Sequence, residues 1–197
     1  EAELIKLFSN AYRYINFSIS NQFYLICKDQ GLDFFKVRNF MKESYKRNEN
    51  IPMAGFTAGP CLLKDTMQLS SFYNHKFPLF HNAMSINESL PQFIINKLKE
   101  KYNLKKKVVG VLGLSFKAEN DDIRDSLSVK LLKKLKSKKI RTLQSDEYYK
   151  NEKNVDKNVL IKKSDIIIIA TPHKAYKNLK INKEKILVDI WGLTKKY

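Results

Sequence analysis

Cys61, Lys64 and Asp65 stand three and four residues apart in the stretch GFTAGPCLLKD, residues 55–65. Pro60 favours the opening of a helix, because its missing N–H is not needed there and its φ is already set. A helix that starts here puts Cys61 where free backbone N–H groups and the macrodipole favour a thiolate. Neighbours at i+3 and i+4 lie on one helical face, so a nucleophile, a cation and a carboxylate would converge. Such a set can do covalent catalysis. Gly55 and Gly59 let the preceding loop pass close to a ligand. Lys6 and Asn10, four apart in a helical pattern, project from one face of another element; taken alone they read as two solvated polar side chains.

A second set lies in GLSFKAENDDIRDS, residues 113–126. Lys117 and Arg124 fall in a strand-to-helix loop, where an anionic ligand would be placed, and Arg can grip phosphate with two parallel hydrogen bonds. The structural alternative, left open by the spacing, is that Arg124 pairs with Asp121 or Asp122 and holds the loop. Gly110 and Gly113 make only part of a G-x-G-x-x-G turn. His75 and His81 have no partners at ligand spacing, so both read as solvated or structural, and no metal site is expected.

The elements that must carry these residues change character near position 104. Residues 1–29 repeat apolar positions at helical spacing (Leu4, Phe8, Ala11, Ile15, Ile19, Phe23, Ile26), with Gly31 as the stop and Cys27 as a core thiol beside the stripe. A shorter helix is predicted over 32–47 with Asp33 near its start. The helix opening near Cys61 continues through 66–73, with Met67 and residues 69–72 partly inward. Another runs over 78–102 through Phe80, Met84, Ile86, Leu90, Ile94 and Leu98, where Pro91 would kink or divide it. Strands are then predicted at 108–114, 140–144, 165–171 and 185–190. A helix over 126–138, capped by Asp125 or Ser126, falls between the first two, a polar helix or loop follows the second, and a short helix lies near Tyr176. Strands alternating with helices imply a parallel sheet, the unbroken apolar run DIIIIA suits a strand covered on both faces, and ligands are expected at the carboxyl ends of the strands. The fold class is therefore α/β, with a helical domain over 1–104 and a small parallel-sheet domain over 105–197.

With 197 residues, 43% of them hydrophobic and 29% charged, the composition is that of an ordinary soluble protein. No apolar run approaches the roughly 18–20 residues of a membrane span. Two cysteines make no disulfide framework, so both thiols are expected free in a reducing compartment, the cytoplasm. The net charge of +17 suits a phosphate-bearing partner and equally a lysine-rich proteome. An alternative function is thus a basic α/β binding module for nucleic acid or another polyanion. Against it, the aromatics follow the core periodicity and no nucleic-acid-binding motif is visible. The chain starts in a helical pattern without methionine and reads as a fragment whose N-terminal part is missing.

Three stretches together resemble the UDP-glucose/GDP-mannose dehydrogenases: AELIKLFSNAYRY (residues 2–14), GFTAGPCLLKDTMQL (55–69) and VVGVLGLSFKAENDDIRDS (108–126), in the family's order. The resemblance covers essentially the whole chain and implies central and C-terminal domains, the second Rossmann-like, without the N-terminal NAD-binding domain. It implies oxidation of a nucleotide-sugar's primary alcohol to a uronate with two NAD per turnover, for polysaccharide biosynthesis, although this chain alone would be inactive. Cys61 would form a thiohemiacetal and then a thioester, Asp65 would activate water, and Lys6 and Asn10 would stabilise the oxyanion. Gly55, Phe56, Lys64, Lys117 and Arg124 match substrate-binding positions. A UDP-sugar is expected ahead of a GDP-sugar, the helical region is expected to form a homodimer, and Arg47 is a candidate to reach a neighbouring subunit's substrate. Neither nucleic acid nor membrane is an expected partner. Two departures leave the sugar open: Ala58, Gly59 and Pro60 replace a glycine–serine turn, and DIWG at 189–192 replaces a D-G-R, with Trp191 in place of an arginine contact.

Overall fold

The computed structural model describes residues 1–57, 59–72 and 78–194. The chain divides into two compact units, one of Glu1–Glu88 and another that begins at Ser89. The first is helical: α1 (Ala2–Asp29), α2 (Phe34–Ser44), α3 (Pro60–Ser71) and the opening turns of α4 (Pro78–Lys101). Gly31 ends α1 at φ 70°, Asp33 caps α2 by accepting from the Phe35 N–H, and α3 opens with Pro60 behind Gly59 at φ 119°. Pro91 lies inside α4 without dividing it.

Of the apolar stripe expected from periodicity, α1 buries Ala11 and half-buries Ile15, and leaves the other five positions exposed. Leu7, Ala11, Tyr14, Ser18, Asn21, Tyr24 and Cys27 are buried, while Leu4, Ile5, Phe8, Tyr12, Ile19, Phe23 and Ile26 are exposed. The buried seam tolerates its polar members because they are hydrogen-bonded. Asn21 donates to Asn87 Oδ1 at 2.8 Å and accepts from the Gly55 N–H at 2.9 Å, and Ser20 donates to the Pro52 carbonyl at 2.9 Å. Around them, Leu7 and Ala11 pack with Leu69 and Phe80, Tyr14 packs with Leu62 and Ala83, and the Tyr24, Phe34 and Phe35 rings form an aromatic cluster. In α3, Leu69 and Ser70 are inward, whereas Met67, Ser71 and Phe72 are exposed.

The second unit carries a four-stranded parallel sheet in the order β2-β1-β3-β4. Its strands are β1 (Val108–Leu112), β2 (Arg141–Ser145), β3 (Ile166–Ile169) and β4 (Ile186–Asp189). α5 (Leu127–Ser137), capped by Ser126, joins β1 to β2, and α6 (Lys157–Lys163), capped by Asp156, joins β2 to β3. All four isoleucines of β3 have zero exposure, the signature of a strand covered on both faces. At Gly110 a Cβ would collide with Leu160 and Ser164, so only glycine lets α6 lie this close to β1. The strand order reverses between β1 and β3, a topological switch point whose crevice lies at the carboxyl ends. Among the described residues, no helix is long and apolar enough to cross a membrane.

Candidate functional site

Pro60 at the first position of α3 leaves Cys61 in the first helical turn, where backbone N–H groups lack intrahelical acceptors. The thiol is free and exposed. Asp65 lies one turn further along and is buried against α1. Its Oδ2 accepts from Asn10 Nδ2 at 2.6 Å and stands 3.8 Å from Lys6 Nζ. The Lys6 side chain is 67% exposed, that of Asp65 only 10%. Three side chains expected from two separate stretches therefore meet at one carboxylate oxygen, on the helix that carries the exposed thiol. Lys64 is exposed on the same helix, and Arg47 is exposed with its guanidinium over the Tyr45 ring.

The loop that leads into α3 is held from inside the helical unit. Arg38 donates to the carbonyls of Ile51 and Pro52, and Asn21 fixes the Gly55 N–H. Gly55 and Phe56 are buried, so within this unit they shape the loop rather than line an open surface. Ala58 and His75 lie outside the described residues; His81 is exposed.

Arg124 takes the structural alternative: its guanidinium makes a two-pronged contact with Asp122, closest approach 2.6 Å, and its side chain is 75% exposed. Lys117 is exposed in the same loop. Trp191 does not project freely; its indole N–H donates to the Ala170 carbonyl beyond β3 at 2.9 Å.

The carboxyl end of the sheet holds a polar cluster that residue spacing did not bring out. His173 has zero exposure, two residues past Thr171, and its Nε2 lies 3.3 Å from Asp146 Oδ2 and 3.4 Å from Ser115 Oγ. Asp146, directly after β2, accepts from the N–H groups of Leu114, Ser115, Tyr148 and Tyr149. Burial alone would raise its pKa, but the bonds from His173 and from those backbone groups outweigh it and hold the carboxyl down to about 2. A polar cavity of about 730 Å³ opens beside it, lined in part by Glu147, Lys150, Asn154 and Lys157. The available signal was position: His173 and Asp146 follow strands of a parallel sheet at the end where ligands gather. Among the described residues, no group of three or more His, Cys, Asp or Glu could hold a metal ion.

The same two units recur in known proteins. Residues 1–89 match the central domain of the UDP-glucose/GDP-mannose dehydrogenase family, and residues 110–196 match that family's UDP binding domain. The chain is 29% identical to a UDP-N-acetyl-D-mannosamine dehydrogenase of Pyrococcus horikoshii over 95% of its own length and 47% of the relative's. The structure of a UDP-D-ManNAc dehydrogenase from that organism aligns with a TM-score of 0.84 at 25% identity, over 98% of this chain and 48% of that one. A UDP-glucose dehydrogenase from Pyrobaculum islandicum aligns with a TM-score of 0.83 at 27% identity, over 97% and 48%. The chain spans about half the length of the curated relatives it matches. With both of its compact units matched in family order, the chain belongs to the UDP-glucose/GDP-mannose dehydrogenase family.

Proposed function

We propose that this chain is the catalytic and nucleotide-sugar-binding part of an NAD-dependent dehydrogenase that oxidises the primary alcohol of a nucleotide-sugar, a UDP-sugar before a GDP-sugar, to a uronate. The observation that carries the reading is the meeting of Lys6, Asn10 and Asp65 on the helix that presents an exposed Cys61 in its first turn. Cys61 Sγ, as thiolate, adds to the carbonyl carbon of a sugar aldehyde, and the electron pair moves to the carbonyl oxygen. The Lys6 ammonium and the Asn10 amide are the donors that stabilise that oxygen. At the thioester stage Asp65 accepts a proton from water as the water attacks, and Cys61 leaves as thiolate. Lys64 adds positive potential near the sulfur. Gly55 and Phe56 shape the substrate-side loop, while Lys117 and Arg124 take the nucleotide-sugar's phosphates once Arg124 exchanges Asp122 for a phosphate oxygen.

In this reading NAD supplies hydride acceptance. The sheet of this chain does not fit it: the turn after β1 has Ser115 where a dinucleotide fingerprint has its second glycine, and Asp146, the acid after β2, is taken up by backbone N–H groups rather than open to a ribose. The chain's own residues act on the carbonyl and on the water. We also assign the exposed apolar stripe of α1 (Leu4, Ile5, Phe8, Tyr12, Ile19) to a homodimer contact, since such a patch on a helix face marks an interaction surface.

The test is Cys61→Ser in the chain supplied with a family NAD-binding unit. Uronate formation from UDP-glucose or UDP-N-acetylmannosamine should fall by roughly 10³-fold or more. Undiminished uronate formation would falsify the nucleophile assignment.

A further inference from the structure

The buried histidine at the sheet's carboxyl end has its protonation pattern set by its surroundings. The Glu119 backbone N–H points at His173 Nδ1 from 3.0 Å, and an amide can only donate, so Nδ1 carries no proton. Nε2 therefore holds the proton in the neutral ring and gives it to Asp146 Oδ2, with Ser115 Oγ as the second acceptor in reach. Ser115 Oγ is free to accept because its own proton goes to the Lys117 carbonyl at 2.9 Å. Glu119 sits in the left-handed region at φ 57°, uncommon for a residue with a Cβ, and is secured at three points. Besides the bond to His173, its carboxylate accepts from Tyr148 OH at 2.6 Å and from the Lys174 N–H at 2.8 Å. Thr171 Oγ1 donates to the Ser115 carbonyl at 2.7 Å, tying the same loop to the end of β3. The Tyr148 and Tyr176 rings close over the imidazole, with centroids 5.0 and 5.3 Å away.

We propose that His173, as the Nε2–H tautomer, is a positioning residue that fastens residues 115–119 in the shape that presents Lys117. This rests on the nucleotide-sugar reading for what Lys117 meets, but not for the fastening itself. The ring works as a two-ended clip: its donor end is anchored on a carboxylate fixed by four backbone N–H groups, and its acceptor end holds a strained residue two positions past the lysine. A shorter or longer amide can imitate only one end. Asn at 173 offers an oxygen near the place of Nδ1, whereas Gln offers its amide near the place of Nε2 and nothing to Glu119.

The experiment uses the whole chain, uniformly labelled with nitrogen-15. In the wild type, imidazole nitrogen shifts at neutral pH should report a protonated Nε2 and a bare Nδ1; an Nδ1–H ring would overturn the proposal. In the variants, hydrogen exchange at the Glu119 amide should be about tenfold or more faster in His173→Gln than in His173→Asn. A general loss of packing would raise exchange in both alike, and equal exchange would overturn the proposal. Titration with UDP separates the two readings. Tighter binding by His173→Asn than by His173→Gln is expected. If the exchange contrast holds but the wild type does not bind UDP, the clip stands and the nucleotide reading of Lys117 fails. If UDP binds all three proteins equally, the clip does not present Lys117.

Discussion

Asp65 in the helical unit and Asp146 in the sheet unit are both buried aspartates with an amide or imidazole donor, yet their surroundings differ in kind. Asp65 is held by two side chains from α1, one of them an amine largely in water. Asp146 accepts four backbone N–H groups and faces a histidine with no exposure. Side-chain partners can be exchanged for a substrate oxygen or a water without moving the chain. Backbone donors cannot, because each is fixed by the strand end or turn that carries it. The contrast suits the proposed chemistry at the first carboxylate and makes the second part of the architecture.

The largest expected effect that sharpens this contrast is at Asp65. Replacing it by Asn keeps an acceptor for Asn10 but removes the proposed base, so uronate formation should drop by roughly 10²–10⁴-fold. The urea midpoint should barely move. A variant that loses its fold together with its activity would make Asp65 a structural residue and erase the comparison. Next in size is Asp146→Asn, whose cost should appear as stability. The four N–H groups and His173 would face a neutral amide with a donor end turned toward them, at a cost of about 2–3 kcal/mol. The pH dependence carries the same sign. Asp146 is held below its ordinary range in the folded chain, so its contribution is fully present above about pH 4 and is lost as pH falls toward about 2. That loss, about 2 kcal/mol for a shift of this size, should be visible in wild-type urea melts between those pH values and missing from the Asn variant.

The two regions also differ in how far residue order revealed them. The alternation of strands and helices, the apolar run of β3 and the Ser126 cap are local signals, and local signals survive folding unchanged. Cys61 and Asp65 were legible for the same reason: Pro60 announces the helix start, and a turn of helix fixes their spacing. The seam of α1 was not. Its apolar stripe adjoins a face bearing Tyr14, Ser18, Asn21 and Tyr24, and periodicity ranks the two by hydropathy alone. What decides burial is that the polar face finds partners in Asn87, Gly55 and Pro52, all far away in the chain. His173 was hidden likewise, since its partners Ser115 and Glu119 come from the loop after β1 and Asp146 from the end of β2, all far from it in the chain.

The smallest expected effect bears hardest on the distinction. Lys6 Nζ lies 3.8 Å from Asp65 Oδ2, at the outer limit of an ion pair, with two thirds of its side chain in water. An exposed pair of that kind contributes on the order of 0–1 kcal/mol, and the Asn10 bond to the same oxygen remains when the amine is removed. Lys6→Met, which keeps the length of the stem against α3, should therefore shift the urea midpoint by an amount near the error of the measurement. Its activity should still fall, because the amine would act on an oxyanion that exists only during the reaction and so leaves no trace in the stability of the resting chain. A stability loss as large as that of Asp146→Asn would mean the amine is a staple, and the two carboxylates would then differ in exposure but not in purpose.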